Sequence, residues 1–199
     1  ELLEAKMTDG NSEIMMAVKS GRAIRFSETK ARATGRGAIG VAGIEVEDND
    51  DEVVGMICVN AGTGESKTVL VVSEKGYGKR TAVDEYRFTN RGGKGVKTIN
   101  VTPKTGKLVG MLEVSEKEDL VITCKSGVTI RMKVADISEQ GRATQGVKLI
   151  RLDEGDEIAA ITKIEDQAVA ENGNGNENGD NGNEKNNGAI EGPENATTE

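Results

Sequence analysis

The chain has 199 residues and a formal charge of −8, with 26 Lys and Arg set against 34 Asp and Glu. It contains no His and no Trp, which excludes Ser-His and Cys-His nucleophile pairs and removes the commonest zinc ligand. Its two cysteines, Cys58 and Cys124, stand alone, which speaks against a disulfide framework or a zinc site. No apolar run approaches the roughly 20 residues that span a bilayer, and no charged-then-apolar leader opens the sequence. The expectation is a reduced, cytoplasmic protein with no membrane contact and no cofactor. Taken as a total, −8 also argues against nucleic acid.

The distribution of charge reverses that last inference. Residues 168–199 carry seven acids and one base, Lys185, in an Asn- and Gly-rich stretch with almost no large apolar residue. Such a stretch cannot bury enough surface to offset its ordering entropy, so a disordered acidic tail is expected there. In residues 1–167 the bases are banded. Lys19–Arg36, Lys75–Lys97 and Lys125–Lys148 together hold 18 of that segment's 25 bases and only 5 of its 27 acids.

In chain order, Leu2–Met7 looks like a strand without the strands that should precede it, as if an array had been cut. Ile14–Val18 is a β-rich run, followed by a tight turn at Gly21 and a second strand carrying Arg25. A basic loop with Arg32 and Arg36 leads to a third strand, Val41–Val46, and a fourth, Val53–Val59. The same series then recurs twice, at Val69–Val72, Val96–Val101 and Leu108–Glu113, and at Leu120–Cys124, Val147–Leu152 and Ile158–Ile161.

With Gly21, Gly76 and Gly127 as position zero, Arg25, Arg80 and Arg131 fall at +4, and Arg36, Arg91 and Arg142 at +15. Gly40, Gly95 and Gly146 fall at +19, Val41, Val96 and Val147 at +20, and Ile44, Ile99 and Ile150 at +23. A period near 50 residues points to a propeller-like or solenoid array. The prediction is all-β, with one four-stranded blade per repeat. The blades are placed at about 1–53, 54–108 and 109–167.

Two short sequences mimic nucleotide sites. Gly35–Gly40 spells G-x-G-x-x-G, but a polar run precedes it and a strand follows, where the dinucleotide fingerprint needs a strand and then a helix. Ala61–Thr68 resembles a phosphate loop with both required glycines replaced. Neither carries the chemistry.

The three basic loops pair small residues with a fixed Arg. Backbone N–H groups beside Gly approach an anion closely, and Arg clamps phosphate in a bidentate manner. Repeated along an array, that unit positions a duplex without reading its bases. Scarce aromatics speak against single strands, which are held by base stacking. Gly21, Gly76 and Gly127 are read as turn residues. Arg36, Arg91, Arg142 and Lys94 are read as phosphate contacts, while Arg25, Arg80 and Arg131, being on strands, are open to either packing or phosphate. Arg22, Arg32, Lys79, Gly92, Gly93, Gly95, Lys97, Lys133 and Lys148 complete the candidate DNA-binding set.

The stretch Gly76-Tyr77-Gly78-Lys79-Arg80-Thr81-Ala82-Val83-Asp84-Glu85-Tyr86, the loop Arg91-Gly92-Gly93-Lys94-Gly95, and Gly141-Arg142-Ala143-Thr144-Gln145-Gly146-Val147 closely resemble the C-terminal domain of DNA gyrase A. The resemblance covers about residues 1–167. It implies a β-pinwheel: a disc of usually six four-stranded blades, with duplex DNA wrapped on a basic rim so that the enzyme introduces negative supercoils. The chain would then hold about three blades, a partial disc. The family's signature loop, Gln-Arg-Arg-Gly-Gly-Lys-Gly, is matched in its last five positions by Arg91–Gly95, with Thr89 and Asn90 replacing the first two.

The resemblance further implies partnership with the remainder of gyrase A and with gyrase B, in an ATP-dependent type II topoisomerase of the bacterial cytoplasm. No catalytic residue is expected in this chain, and Tyr77 and Tyr86 are not candidates for the cleavage tyrosine. Self-association of half-discs is a further expectation. Two alternatives stay open on sequence: the corresponding C-terminal domain of topoisomerase IV, and a protein-interaction propeller.

Overall fold

A computed structural model describes residues 2–59 and 67–165, and these fall within one compact unit. The phosphate-loop mimic lies largely outside the described residues, as does the acidic tail. Among the described residues eleven strands follow one another: β1 (Glu13–Val18), β2 (Arg22–Ser27), β3 (Val53–Val59), β4 (Thr68–Ser73), β5 (Tyr77–Ala82), β6 (Val96–Lys97), β7 (Leu108–Val114), β8 (Glu118–Cys124), β9 (Thr129–Lys133), β10 (Val147–Lys148) and β11 (Ile158–Glu165). All pairings between strands are antiparallel, and no α-helix occurs among the described residues. The all-β expectation holds.

The sheets are ordered β3-β1-β2-β6, β10-β5-β4-β7 and β11-β8-β9. The first, second and fourth strands of each repeat therefore stay together, as their hydrophobic runs foretell. The third strand does not. Val96 and Lys97, from the second repeat, pair with Ala23 and Arg22 of the first, and Val147 and Lys148 of the third pair with Gly78 and Tyr77 of the second. The second and third repeats thus each give their third strand to the sheet before them, which corrects the picture of self-contained blades. These donated strands are only two residues long, because the chain then turns inward to bury Ile99 and Ile150.

Among the described residues the first repeat's counterpart, Val41–Val46, has no acceptor sheet and forms no strand, and the third sheet has three strands. Leu2–Met7 forms no strand either.

The core lies between sheets. Along β4 every residue is buried, with Val69 and Val71 joining Met15, Ala17, Ala23 and Ile57 of the first sheet. Leu70 and Val72 point the other way, toward Leu120, Ile122 and Ile158 of the third. The two-residue period of a strand thus supplies two interfaces from one segment. Burying an aliphatic side chain of this size contributes roughly 1.5–3 kcal/mol, so the energy of the array resides at its junctions.

Close packing also explains two glycines. Gly21 (φ 83°) and Gly76 (φ 80°) adopt the left-handed conformation, and an added Cβ would lie 2.9 Å from the Ile99 carbonyl oxygen and 2.7 Å from that of Ile150. Turn and junction both require the missing side chain. A one-turn 3-10 segment follows each second strand, at Glu28–Lys30, Val83–Glu85 and Val134–Asp136.

Candidate nucleic-acid interface

The cations predicted to meet phosphate divide into two sets. The +4 arginines reach forward into the next repeat. Arg25 donates from Nη1 to the carbonyls of Val83 (2.9 Å) and Tyr86 (3.2 Å), while its Nε pairs with Glu13 at 2.6 Å. Arg80 donates from Nε to the Ile137 carbonyl at 2.7 Å and pairs with Glu116 at 3.1 Å. Tyr86 and Ile137 occupy the same place, +10, in their repeats. Arg25 and Arg80 are junction residues. Arg131, the third member, is 57% exposed and turns back to Asp119 on its own sheet, at 2.5 Å.

Lys79 belongs to the buried set as well. It has no exposed surface, and its ammonium donates to the Gly141 carbonyl across the junction. Burial is the main influence on it and lowers its pKa to about 8; Glu85 opposes that shift and Arg142 reinforces it. The other repeats carry Ile24 and Ile130 at this position. Lys79 has nothing to offer a phosphate at the surface.

The +15 arginines reach backward but keep part of the guanidinium in solvent. Arg91 donates from Nε to the Lys30 carbonyl (2.8 Å) and from Nη1 to that of Ala42 (3.0 Å), and Arg142 donates from Nη1 to the Lys97 carbonyl (3.1 Å). Ala42 and Lys97 are again equivalent, both at +21. A guanidinium carries five N–H donors, so each of these retains donors for an external anion. The loops that follow are exposed. The Gly92 N–H donates to Gly43 (2.6 Å), the Gly93 carbonyl accepts from Glu45 (3.0 Å), and the Lys94 ammonium is 63% exposed and 4.0 Å from Glu45. Gly95 backs onto the Ala23 carbonyl.

Arg32, Arg36, Lys97, Lys133 and Lys148 are exposed. Arg22 is partly exposed and pairs with Glu47 at 2.9 Å. Gly35–Gly40, the dinucleotide mimic, is an exposed turn with no helix after it.

One group escapes sequence reasoning. Two ammonium groups lie over the Tyr77 ring, Lys104 at 5.5 Å and Lys148 at 5.9 Å from its centroid. Lys75 lies close by and donates to the Pro103 carbonyl at 2.7 Å. Lys104 falls outside the basic windows, and only the return of the third repeat onto the second brings Lys148 to Tyr77. Asp153, Asp156 and Glu157 line the same hollow, so the three lysines are balanced there by three acids.

Among the described residues no three acidic, Cys or His side chains are grouped to hold a metal ion. Cys58 and Cys124 are free, and burial pushes both thiols up. Burial also raises Tyr86, whose hydroxyl bonds Thr98 at 2.5 Å in the core. No helix among the described residues is long and apolar enough to cross a membrane.

Sheets that exchange a short strand with the next and bury their core between neighbours define a propeller-type repeat protein whose exposed loops are basic. The model of the DNA gyrase C-terminal domain, a β-propeller, matches residues 12–60, 67–115 and 118–165, one segment per repeat, and the chain belongs to that family. It is 44% identical over 172 residues to the DNA gyrase A protein of Staphylococcus aureus strain MRSA252, which covers 86% of this chain and 19% of the relative. The chain thus spans about a fifth of the length of the gyrase proteins it matches.

A solved DNA gyrase A C-terminal domain superimposes with a TM-score of 0.69 and 28% identity, covering 77% of this chain and 50% of that one. The C-terminal domain of a DNA topoisomerase IV superimposes at 0.72 with 20% identity, over 79% of this chain and 48% of that one, and shares the fold.

Proposed function

We propose that this chain binds duplex DNA without sequence preference along its exposed basic loops and bends it, as the C-terminal part of a gyrase A protein. Its setting is an ATP-dependent type II topoisomerase in the bacterial cytoplasm, formed with the remainder of gyrase A and with gyrase B. In that setting, wrapping of DNA on the basic loops supports negative supercoiling, and the catalytic residues lie elsewhere in the enzyme.

One observation carries the reading. Arg91 and Arg142 occupy equivalent places on successive repeats, each fixed by a main-chain carbonyl and each still open to solvent, with Lys94, Lys97 and Lys148 beside them. Such an array neutralises phosphates at regular intervals and releases counterions, so affinity falls steeply as salt rises.

The test is a mobility-shift titration of the 199-residue chain against a linear duplex across a salt series. Retardation that fades with salt, with a slope that shrinks by about one for each of Lys94→Ala and Lys97→Ala, is the expected result. Absence of retardation at low salt, or a shift insensitive to salt, overturns the reading in favour of a protein-interaction module.

A further inference from the structure

The two junctions place the same pair of positions at the edge of a sheet. β6 and β10 are edge strands, and the last residue of each, Lys97 or Lys148, lies opposite the first residue of a second strand, Arg22 or Tyr77. At the first junction both members are cations. Arg22 is held by Glu47 at 2.9 Å, and the Lys97 ammonium donates to the Asn100 side-chain oxygen at 3.2 Å. At the second junction Tyr77 stands where Arg22 would, so the pair has lost one cation.

Lys104 restores it from a different part of the repeat. Residues 100–107 fold back onto the hairpin turn before Tyr77. The Lys75 N–H donates to the Thr105 carbonyl at 3.0 Å, the Glu74 N–H to the Lys107 carbonyl at 2.9 Å, and the Lys75 ammonium to the Pro103 carbonyl at 2.7 Å. Thr105 is fully buried, and its hydroxyl accepts from the Thr102 N–H at 2.9 Å and donates to the Asn100 carbonyl at 3.2 Å. The loop is thereby fixed, and it carries Lys104 over the Tyr77 ring, where Lys148 also stands.

Both ammonium groups are exposed, and neither has a hydrogen bond or an ion pair among the described residues. The acids of the hollow are directed elsewhere. Asp156 accepts from the Ser126 N–H at 3.1 Å and its hydroxyl at 2.6 Å, and Glu157 pairs with Lys125 at 2.6 Å. Only Asp153 is left without a partner. With Lys125 counted, four ammonium groups stand against three carboxylates. The ring's negative face draws Lys104 and Lys148 together although they repel one another. An anion that meets both relieves that repulsion.

We infer that Lys104 and Lys148, gathered by Tyr77, grip one backbone phosphate of the duplex at the second junction, in the place that Arg22 and Lys97 fill at the first. The inference rests on the DNA-binding reading and adds to it a cation outside the basic windows. Tyr77 is a positioning residue, acting through the two lysines. Because the contact is to the backbone, it carries no base preference.

The experiment is a fluorescence-anisotropy titration of the 199-residue chain against a labelled linear duplex across a salt series. Lys104→Gln, at an exposed loop position, should weaken binding about threefold at low salt. Lys104→Gln combined with Lys148→Gln removes the whole phosphate contact and should lower the slope of log affinity against log salt by about one. Tyr77→Leu should weaken binding about two- to fivefold with both charges still present, and Tyr77→Phe, which keeps the ring, should recover the wild-type affinity. Asp153→Asn should act in the opposite direction and tighten binding, since it removes a negative charge beside the phosphate. Thermal unfolding of each variant establishes that the fold is retained.

Unchanged affinity in Lys104→Gln, an unchanged slope in the double variant, or equal losses in Tyr77→Leu and Tyr77→Phe overturn the inference alone, provided that Lys94→Ala still lowers the slope. A wild-type chain that leaves the duplex free at low salt overturns the DNA-binding reading and this inference with it.

Discussion

The second and third repeats carry the same arginine at the same place and use it differently. Arg80 is buried, with its guanidinium on the Ile137 carbonyl of the following repeat, whereas Arg131 lies in solvent against Asp119. Gly76 and Gly127 differ in the same way, since one is crowded by Ile150 and the other has nothing near it. The residue alone does not decide its role. The neighbouring repeat does, by bringing up an acceptor or leaving the donor free.

That contrast can be broken by paired substitutions. Gly76→Ala should destabilise by about 4 kcal/mol, because left-handed strain adds to a clash with main-chain atoms that cannot yield. Gly127→Ala incurs only the strain, about 1–2 kcal/mol. Urea unfolding of both variants checks the difference, and equal losses would mean that the junction does not press on Gly76.

Lys79 sharpens the comparison through pH. Its folded pKa is about 8, below the ordinary lysine value of 10.5, so the unfolded chain holds more protons between those limits. Stability contributed by this group is therefore depressed below pH 8 and rises as pH climbs toward 10.5, by at most about 3 kcal/mol. Lys79→Ile, which installs the residue of the other two repeats, should flatten that rise in urea titrations at about pH 7.5, 9 and 10. The neutral amine still donates to Gly141, so the wild-type bond persists at high pH. An unchanged pH profile in the variant would mean that the ammonium is solvated.

Arg80→Ala is expected to cost about 2–3 kcal/mol, since the Ile137 carbonyl is left unsatisfied in a buried site, while Arg131→Ala costs less than about 1 kcal/mol. Chemical denaturation of the two variants side by side reads this directly. The smallest effect is on the loops: Lys94→Ala should leave stability within about 0.5 kcal/mol and lower DNA affinity only a few-fold at low salt.

The same dependence on neighbours explains which features were legible in the sequence. Runs such as Val69–Val72 and Leu120–Cys124 announce strands because their own side chains require burial on two faces. The +19 glycines and the +4 and +15 arginines announce a repeat because the junction repeats. The destination of the third strand was not legible, since the two-residue pairings of Val96 and Val147 depend on an edge that another repeat supplies. Nor could charge alone separate Lys79 and Arg80 from Lys94. All are cations in one basic window, and only the packing of the third repeat buries the first two. Lys104 was missed for the converse reason, as it sits outside every window and reaches Tyr77 through the fold.

The acceptors of both arginine staples are main-chain carbonyls, at +10 and at +21. A carbonyl is present whatever side chain its residue carries, and the +10 position is indeed Ala31, Tyr86 and Ile137 in the three repeats. The junction therefore tolerates drift at the very positions it grips. A loop can exchange its surface residues, and with them the ligand it meets, without loosening the blade beside it. An array joined in this way can be lengthened, shortened or re-surfaced one repeat at a time.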